Sequence, residues 1–336
     1  MYEFYSTCPA GLEEGAVRLL GRMKRPPEDV RALGAAVTYR QAQLRAPECA
    51  AFQNTYLVLS RVRSGAKDAQ AAGVRFARDV RALEYASQMA QRCGFASFRV
   101  MFSNENRLSA PDPAARSAIE RAIRACRVDR VKPDTEILIL RRDGGEALML
   151  LRLTRRSDTR ATLQRGALSP HVCACLMGLL NPAPGGVFLD PFAGSGALPV
   201  ARAAAGSYAK IYAADRDGSD ALSGALGTLR NARVFREDAL DMRRWMEPGR
   251  VTEIVTDPPW GLFRGFDSDA DEFHRNMLCQ FAYVCRPGAR AVVLTAAKES
   301  FFSAARESAD FDLLEKFDCL INGKKACAYV LVRRAI

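Results

Sequence analysis

Two stretches of the chain carry residue types whose spacing can do chemistry. In the first, Val187-Phe188-Leu189-Asp190 turns through Pro191-Phe192-Ala193-Gly194-Ser195-Gly196 into a helix-like run from Ala197. A short apolar run of this kind makes a buried parallel strand. Strand, glycine turn and helix together set backbone N–H groups at the carboxyl edge of a sheet, where α/β proteins hold a cofactor. Asp215 lies nineteen residues past Gly196, at the end of the apolar run Lys210–Ala214, where a carboxylate can grip ribose hydroxyls. Pro199 stands where the dinucleotide fingerprint has its third glycine, which argues against a pyrophosphate cradle. In the second stretch, sixty-one residues after Gly196, the run Val251–Thr256 ends in Asp257-Pro258-Pro259-Trp260-Gly261. Taken alone, that pentapeptide also reads as a surface turn, with Asp257 as a cap and Trp260 as a hydrophobic plug.

Taken together, in this order and at this spacing, the two stretches resemble the class I, S-adenosylmethionine-dependent methyltransferases that methylate exocyclic amines of nucleobases. The resemblance implies S-adenosylmethionine as cofactor; no metal is expected, because the chain has no CxxC pair. Asp190 and the backbone of Phe192, Ala193, Gly194, Ser195 and Gly196 are then expected to face its methionine part, and Asp215 with Arg216 its ribose. Asp238 and Ala239, just past the third strand, are expected near the adenine amine, with Asp241 as a competing helix cap. Asp257, Pro258 and Trp260 become the catalytic set. An exocyclic amine is a poor nucleophile because its lone pair is delocalised into the ring. A carboxylate oxygen of Asp257 and the carbonyl of Pro258, one per amine hydrogen, can turn that lone pair toward the methyl group. The two prolines stiffen the loop, Trp260 offers a flat face to an unstacked base, and a base held in a structured substrate must flip out to arrive there.

The elements that must position these residues alternate as strand and helix from Val187 onward. Strands are predicted at Val187–Asp190, Lys210–Asp215, Ala232–Arg236, Val251–Thr256 and Arg290–Thr295, followed by Leu313–Ile321 and Ala326–Val332 joined through Asn322-Gly323. The fold class is therefore α/β, a Rossmann-like seven-stranded sheet closed by an antiparallel hairpin, as the class I resemblance implies. His171, at a predicted helix start, has no carboxylate motif beside it, and Arg165, Leu168 and Pro170 loosely match a segment that leans over the site in similar enzymes.

The N-terminal half is predicted to be α+β. A strand at Met1–Tyr5 precedes a helix from Pro9 to about Met23, a proline loop over Arg22–Arg31, and strands at Ala36–Leu44 and Asn54–Val62. A helix over Val74–Cys93, a strand at Phe98–Phe102, a helix over Pro113–Cys126 and a hairpin Thr135–Leu140/Ala147–Leu153 through Asp143-Gly144-Gly145 follow. A ferredoxin-like segment followed by this alternation resembles the THUMP module of RNA-modifying enzymes, and CPAGLEEGAVRLL resembles the opening of THUMP methyltransferases. The expected divisions are 1–50 ferredoxin-like, 51–154 THUMP-type, 155–180 linker and leading helix, and 181–336 methyltransferase.

Charge is distributed unevenly. Met1–Pro170 holds 29 Lys+Arg against 18 Asp+Glu, whereas His171–Ile336 holds 20 of each, so the whole net charge of +11 lies in the first half. That asymmetry is the one expected of a surface that meets a polyanion. The ten cysteines include no CxxC pair and read as reduced thiols, with Cys173 and Cys175 as core packing. No run of eighteen apolar residues and no signal-peptide layout is present, so a cytoplasmic location without membrane association is expected. Joined to the Asp257-Pro258-Pro259-Trp260 motif, the THUMP resemblance implies N2-methylation of guanosine in transfer RNA. Ribosomal RNA, amino-methylation of DNA, or a non-catalytic RNA-binding partner are the alternatives; oligomeric state is left open.

Overall fold

The computed structural model describes residues 1–63, 65–105, 107–154, 167–218, 220–261 and 269–335. Its first half runs β1 (Tyr2–Thr7), α1 (Glu13–Gly21), β2 (Glu28–Leu33), β3 (Ala36–Gln41), β4 (Asn54–Val62), α2 (Ala69–Phe76), α3 (Val80–Arg92), β5 (Ser97–Asn104), β6 (Arg107–Ser109), α4 (Pro113–Ala122), β7 (Arg127–Val128), β8 (Thr135–Arg141) and β9 (Ala147–Arg152). These strands form one sheet in the order β2-β3-β1-β4-β9-β8-β5-β6, with β7 also paired to β5. The boundary expected at residue 50 therefore falls inside a continuous sheet: β4 is hydrogen-bonded to β1 on one side and to β9 on the other.

Two elements differ from expectation for reasons the local sequence explains. The predicted helix over Val74–Cys93 is two helices, because Asp79 caps the second through Ala82 N–H at 3.1 Å and Asp68 caps the first through Ala71 N–H at 2.8 Å. The proline loop over Arg22–Arg31 gives way at Glu28 to strand β2, an edge strand with no buried residue and so no apolar alternation to betray it. The hairpin of β8 and β9 forms as predicted, with Gly144 and Gly145 at φ +81° and +80° between them.

The second half continues with α5 (Pro170–Leu180), β10 (Gly186–Asp190), α6 (Ala197–Ala204), β11 (Tyr208–Ala214), α7 (Asp220–Gly227), β12 (Ala232–Phe235), β13 (Val251–Thr256), α8 (Ala270–Val284), β14 (Cys285–Thr295), α9 (Lys298–Glu307), β15 (Phe311–Ile321) and β16 (Lys324–Arg333). The sheet order is β12-β11-β10-β13-β14-β16-β15, parallel except that β16 runs antiparallel to both its neighbours. Alternation along the strands builds two layers. Phe188, Val255, Val292 and Val330 face a core shared with α5 and α6, while Leu189, Ile254, Val293 and Leu331 face α8 and α9.

The two sheets are joined by the crossing of α1 and α5. A Cβ on Gly15 would lie 2.2 Å from the Cys175 carbonyl, and one on Gly178 would lie 2.0 Å from the Gly15 carbonyl, so only glycine allows these backbones to touch. Arg18 of α1 also donates to Glu315 of β15 at 2.6 Å. Among the described residues no helix is long and apolar enough to cross a membrane.

Candidate active site

The site lies at the carboxyl edge of the second sheet, where β10 and β13 are neighbours. After β10 the chain reverses through Gly194 and Gly196, both left-handed at φ +52° and +86°. The turn is pinned by Ala193 N–H to the Ala214 carbonyl at 2.8 Å and by Gly196 N–H to the Ala193 carbonyl at 2.8 Å. A Cβ on Gly194 would meet nothing within 4 Å, so the cradle is open on that side. Gly196 instead abuts Leu222, Ala225 and Leu226 of α7.

Asp190, 1 % exposed, accepts from Thr256 Oγ1–H at 2.8 Å and Phe192 N–H at 3.2 Å, both on Oδ1. Its Oδ2 is buried with no partner among the described residues. Burial, opposed by those two hydrogen bonds and reinforced by Asp257 and Asp215, pushes the carboxyl up to about 7. Asp257 follows directly on β13; its Oδ1 accepts the Trp260 indole N–H at 2.7 Å, and burial pushes this carboxyl up to about 7 as well. Pro258 is buried, Pro259 exposed, and Gly261 closes the loop at φ +68°. The two acids thus lie at the ends of neighbouring strands, close enough for Asp257 to act on Asp190.

Asp215 stands at the end of β11 as predicted. Its Oδ2 accepts Gly194 N–H at 3.0 Å and its Oδ1 accepts Asp217 N–H at 3.0 Å, so it braces the glycine turn. Arg216 beside it is exposed, Phe192 is half-buried with its ring 6.0 Å from that of Phe273, and Ser195 is half-buried. At the end of β12 the cap is Asp238 rather than Asp241: Asp238 Oδ1 accepts Leu240 N–H at 2.8 Å, with Ala239 buried next to it. An Asp that directly precedes a short helical turn is the stronger acceptor position.

Sequence reasoning missed Thr256, the fully buried hydroxyl that holds Asp190; the only signal was a threonine directly before the Asp257 loop. Cys173 is core packing in α5 as expected, and it is also a neighbour of the site, its thiol pushed up to about 12 by burial and then by Asp190 and Asp257. That thiol marks the start of α5 as a wall of the site and is unreactive as a nucleophile. Leu168 and Pro170 line a groove of about 840 Å³ with Cys173, Ser195 and Gly196; Arg165 lies outside the described residues. His171 is turned away, bonded through Nδ1 to the Ala50 carbonyl at 2.9 Å, and His274 is buried in α8 against Ser300 Oγ at 2.7 Å. No group of three or more His, Cys, Asp or Glu among the described residues could hold a metal.

The profile of the RMKL-like methyltransferase domain matches residues 157–325, which include the glycine turn, Asp215 and the Asp257 loop. The chain belongs to the RMKL-like methyltransferase family. Individual relatives are similar at modest identity. The tRNA (guanine(6)-N2)-methyltransferase of Thermus thermophilus is 29% identical over 218 residues, 60% of this chain and 63% of that protein. The tRNA (guanine(6)-N(2))-methyltransferase THUMP3 of Mus musculus is 26% identical over 196 residues, 53% of this chain and 39% of that protein. The chain therefore spans less than two thirds of the length of either. In fold, the crystal structure of TrmN from Thermus thermophilus superposes with a TM-score of 0.75 at 22% identity, covering 99% of this chain and 100% of that one. The RMKL-like domain thus sits in an α/β architecture shared along the whole chain, N-terminal sheet included.

Proposed function

We propose that this protein is an S-adenosylmethionine-dependent methyltransferase that forms N2-methylguanosine in transfer RNA. The observation that carries the reading is the meeting of Asp190, the open glycine turn and the Asp257-Pro258-Pro259-Trp260 loop at one sheet edge. The names of the Thermus and mouse relatives support the choice of guanine N2 and of transfer RNA.

The residues present fit the cofactor. The buried Asp190 Oδ2 without a partner, the Gly194 cradle that a side chain would occupy, and the raised acids Asp190 and Asp257 make a cavity edge suited to a cation. Asp190 and the Phe192–Gly196 backbone would hold the methionine part, Asp215 and Arg216 the ribose, and Asp238 and Ala239 the adenine. Bound S-adenosylmethionine supplies an electrophilic methyl group on a sulfonium. The protein's own part is orientation: Asp257 Oδ2 and the Pro258 carbonyl accept the two hydrogens of the target amine and aim its lone pair. As the new N–C bond forms, the amine sheds one proton. Asp257, held near 7 by burial, can take it at neutral pH.

The N-terminal half is read as a THUMP-type RNA-binding region on the strength of its charge surplus and its exposed arginines, Arg78, Arg81, Arg121 and Arg124 among them. All ten cysteines are free, which suits a reducing cytoplasm where transfer RNA is found. The test is a pair of assays on Asp257→Ala. Methyl transfer from labelled S-adenosylmethionine to unmodified transfer RNA should fall by about 10³-fold or more, while RNA affinity stays within about twofold. Retained transfer would remove Asp257 from the mechanism.

A further inference from the structure

Trp260 does more in this site than offer a flat ring. Its indole N–H donates to Asp257 Oδ1 at 2.7 Å, while the half-buried ring packs against the larger hydrophobic core. An indole nitrogen is a donor only, so the bond has one possible direction and engages one particular carboxylate oxygen. Phenylalanine at this position would keep an apolar, flat ring and lose the bond. Because the carboxylate is half-buried and partly desolvated, this single charge-assisted bond orients it more firmly than the same bond would at a fully exposed surface. Among the described residues Oδ2 of Asp257 accepts no hydrogen bond, and it lies next to the Pro258 carbonyl in the chain.

We infer that Trp260 is a positioning residue: its indole N–H fixes the rotation of the Asp257 carboxylate, so that Oδ2 alone is presented to the target amine. This rests on the methyl-transfer reading above and adds to it a residue that sets the geometry of the acceptor. Among the described residues, the other titratable groups facing Asp257 are Asp190 at the end of β10 and Cys173 on α5, with Asp215 acting in turn on Asp190.

The chain has only two tryptophans, so its ¹H–¹⁵N spectrum holds two indole signals. The second, Trp245, donates to the Asp238 carbonyl at 3.0 Å and serves as an internal control. With signals assigned by Trp260→Phe, the Trp260 indole should shift between pH 5 and 9 while Trp245 does not, and Asp257→Asn should abolish that shift. A Trp260 signal indifferent both to pH and to Asp257→Asn would overturn the inference. In turnover, Trp260→Phe should lower kcat by about 10- to 100-fold with little change in KM for RNA. Its acidic kcat limb should move to higher pH, since losing a donor to the charged form raises the Asp257 pKa. Unchanged kcat with a raised KM would mean that the ring acts by stacking alone. A wild-type protein without methyl transfer would defeat the functional reading, whereas an active one with an unresponsive indole would defeat only this inference.

Discussion

At the scale of single residues, the site concentrates two carboxyl groups that burial has raised from their ordinary value to about 7. Between about pH 4 and 7 the folded chain then holds protons that the unfolded chain has released, so ligand-free stability should fall as pH rises through that window. The loss is bounded by about 1.4 kcal/mol per pH unit for each fully shifted group. Asp257→Asn should flatten the slope and stabilise the protein at pH 8 relative to wild type; urea titrations at pH 5, 6, 7 and 8 measure both effects. Equal slopes for the two proteins would mean that Asp257 is ionised freely in the fold. The types and spacing of Asp190, Asp215 and Asp257 were readable in the chain because each ends an apolar strand. Which atoms they engage was not. Asp215 also braces backbone N–H groups, Asp238 caps a turn, and Thr256 reaches across from a neighbouring strand, none of which a local pattern encodes.

Among the elements, two buried contacts hold the site's frame. Arg202 of α6, fully buried, donates to Glu253 of β13 at 2.6 Å and to the carbonyls of Ala183, Gly206 and Ser207, while Glu253 also accepts Ala183 N–H. Arg202→Met strands a buried carboxylate and should cost about 3–5 kcal/mol, with much of it recovered by adding Glu253→Met; chemical denaturation of the single and double variants tests this. At the crossing of α1 and α5, Gly15→Ala places a methyl group into the Cys175 carbonyl and should destabilise by about 1–3 kcal/mol. A neutral Gly15→Ala would show that the helices can separate freely. All seven strands of the second sheet were legible, β13 to the residue because it is a buried apolar run closed by an acid, whereas β14 begins five residues before the predicted Arg290, at Cys285. The first sheet was less so: the exposed edge strand β2 has no apolar period, and the break at Asp79 hid inside a continuous helical pattern.

Across the whole molecule, most of the basic surplus and the candidate active site belong to different sheets that share a core. Leu12, Ala16 and Leu20, on and beside α1, are buried in the same cluster as Cys175 and Leu179 of α5. The charge asymmetry pointed to a polyanion from the sequence alone, but the continuity of the core did not show there, because it depends on two glycines 163 positions apart (Gly15 and Gly178) meeting in space. Substituting Arg78, Arg81, Arg121 and Arg124 with Gln should weaken RNA binding at low salt. It should also flatten the dependence of log Kd on log salt by about 0.7–0.9 for each phosphate that is no longer neutralised. An unchanged slope would move the RNA-binding surface elsewhere. The most direct measurement is nucleoside mass spectrometry of transfer RNA and ribosomal RNA incubated separately with the protein and isotopically labelled S-adenosylmethionine. Label in N2-methylguanosine from transfer RNA, absent with Asp257→Ala, is the expected result; no labelled N2-methylguanosine in any RNA would contradict it.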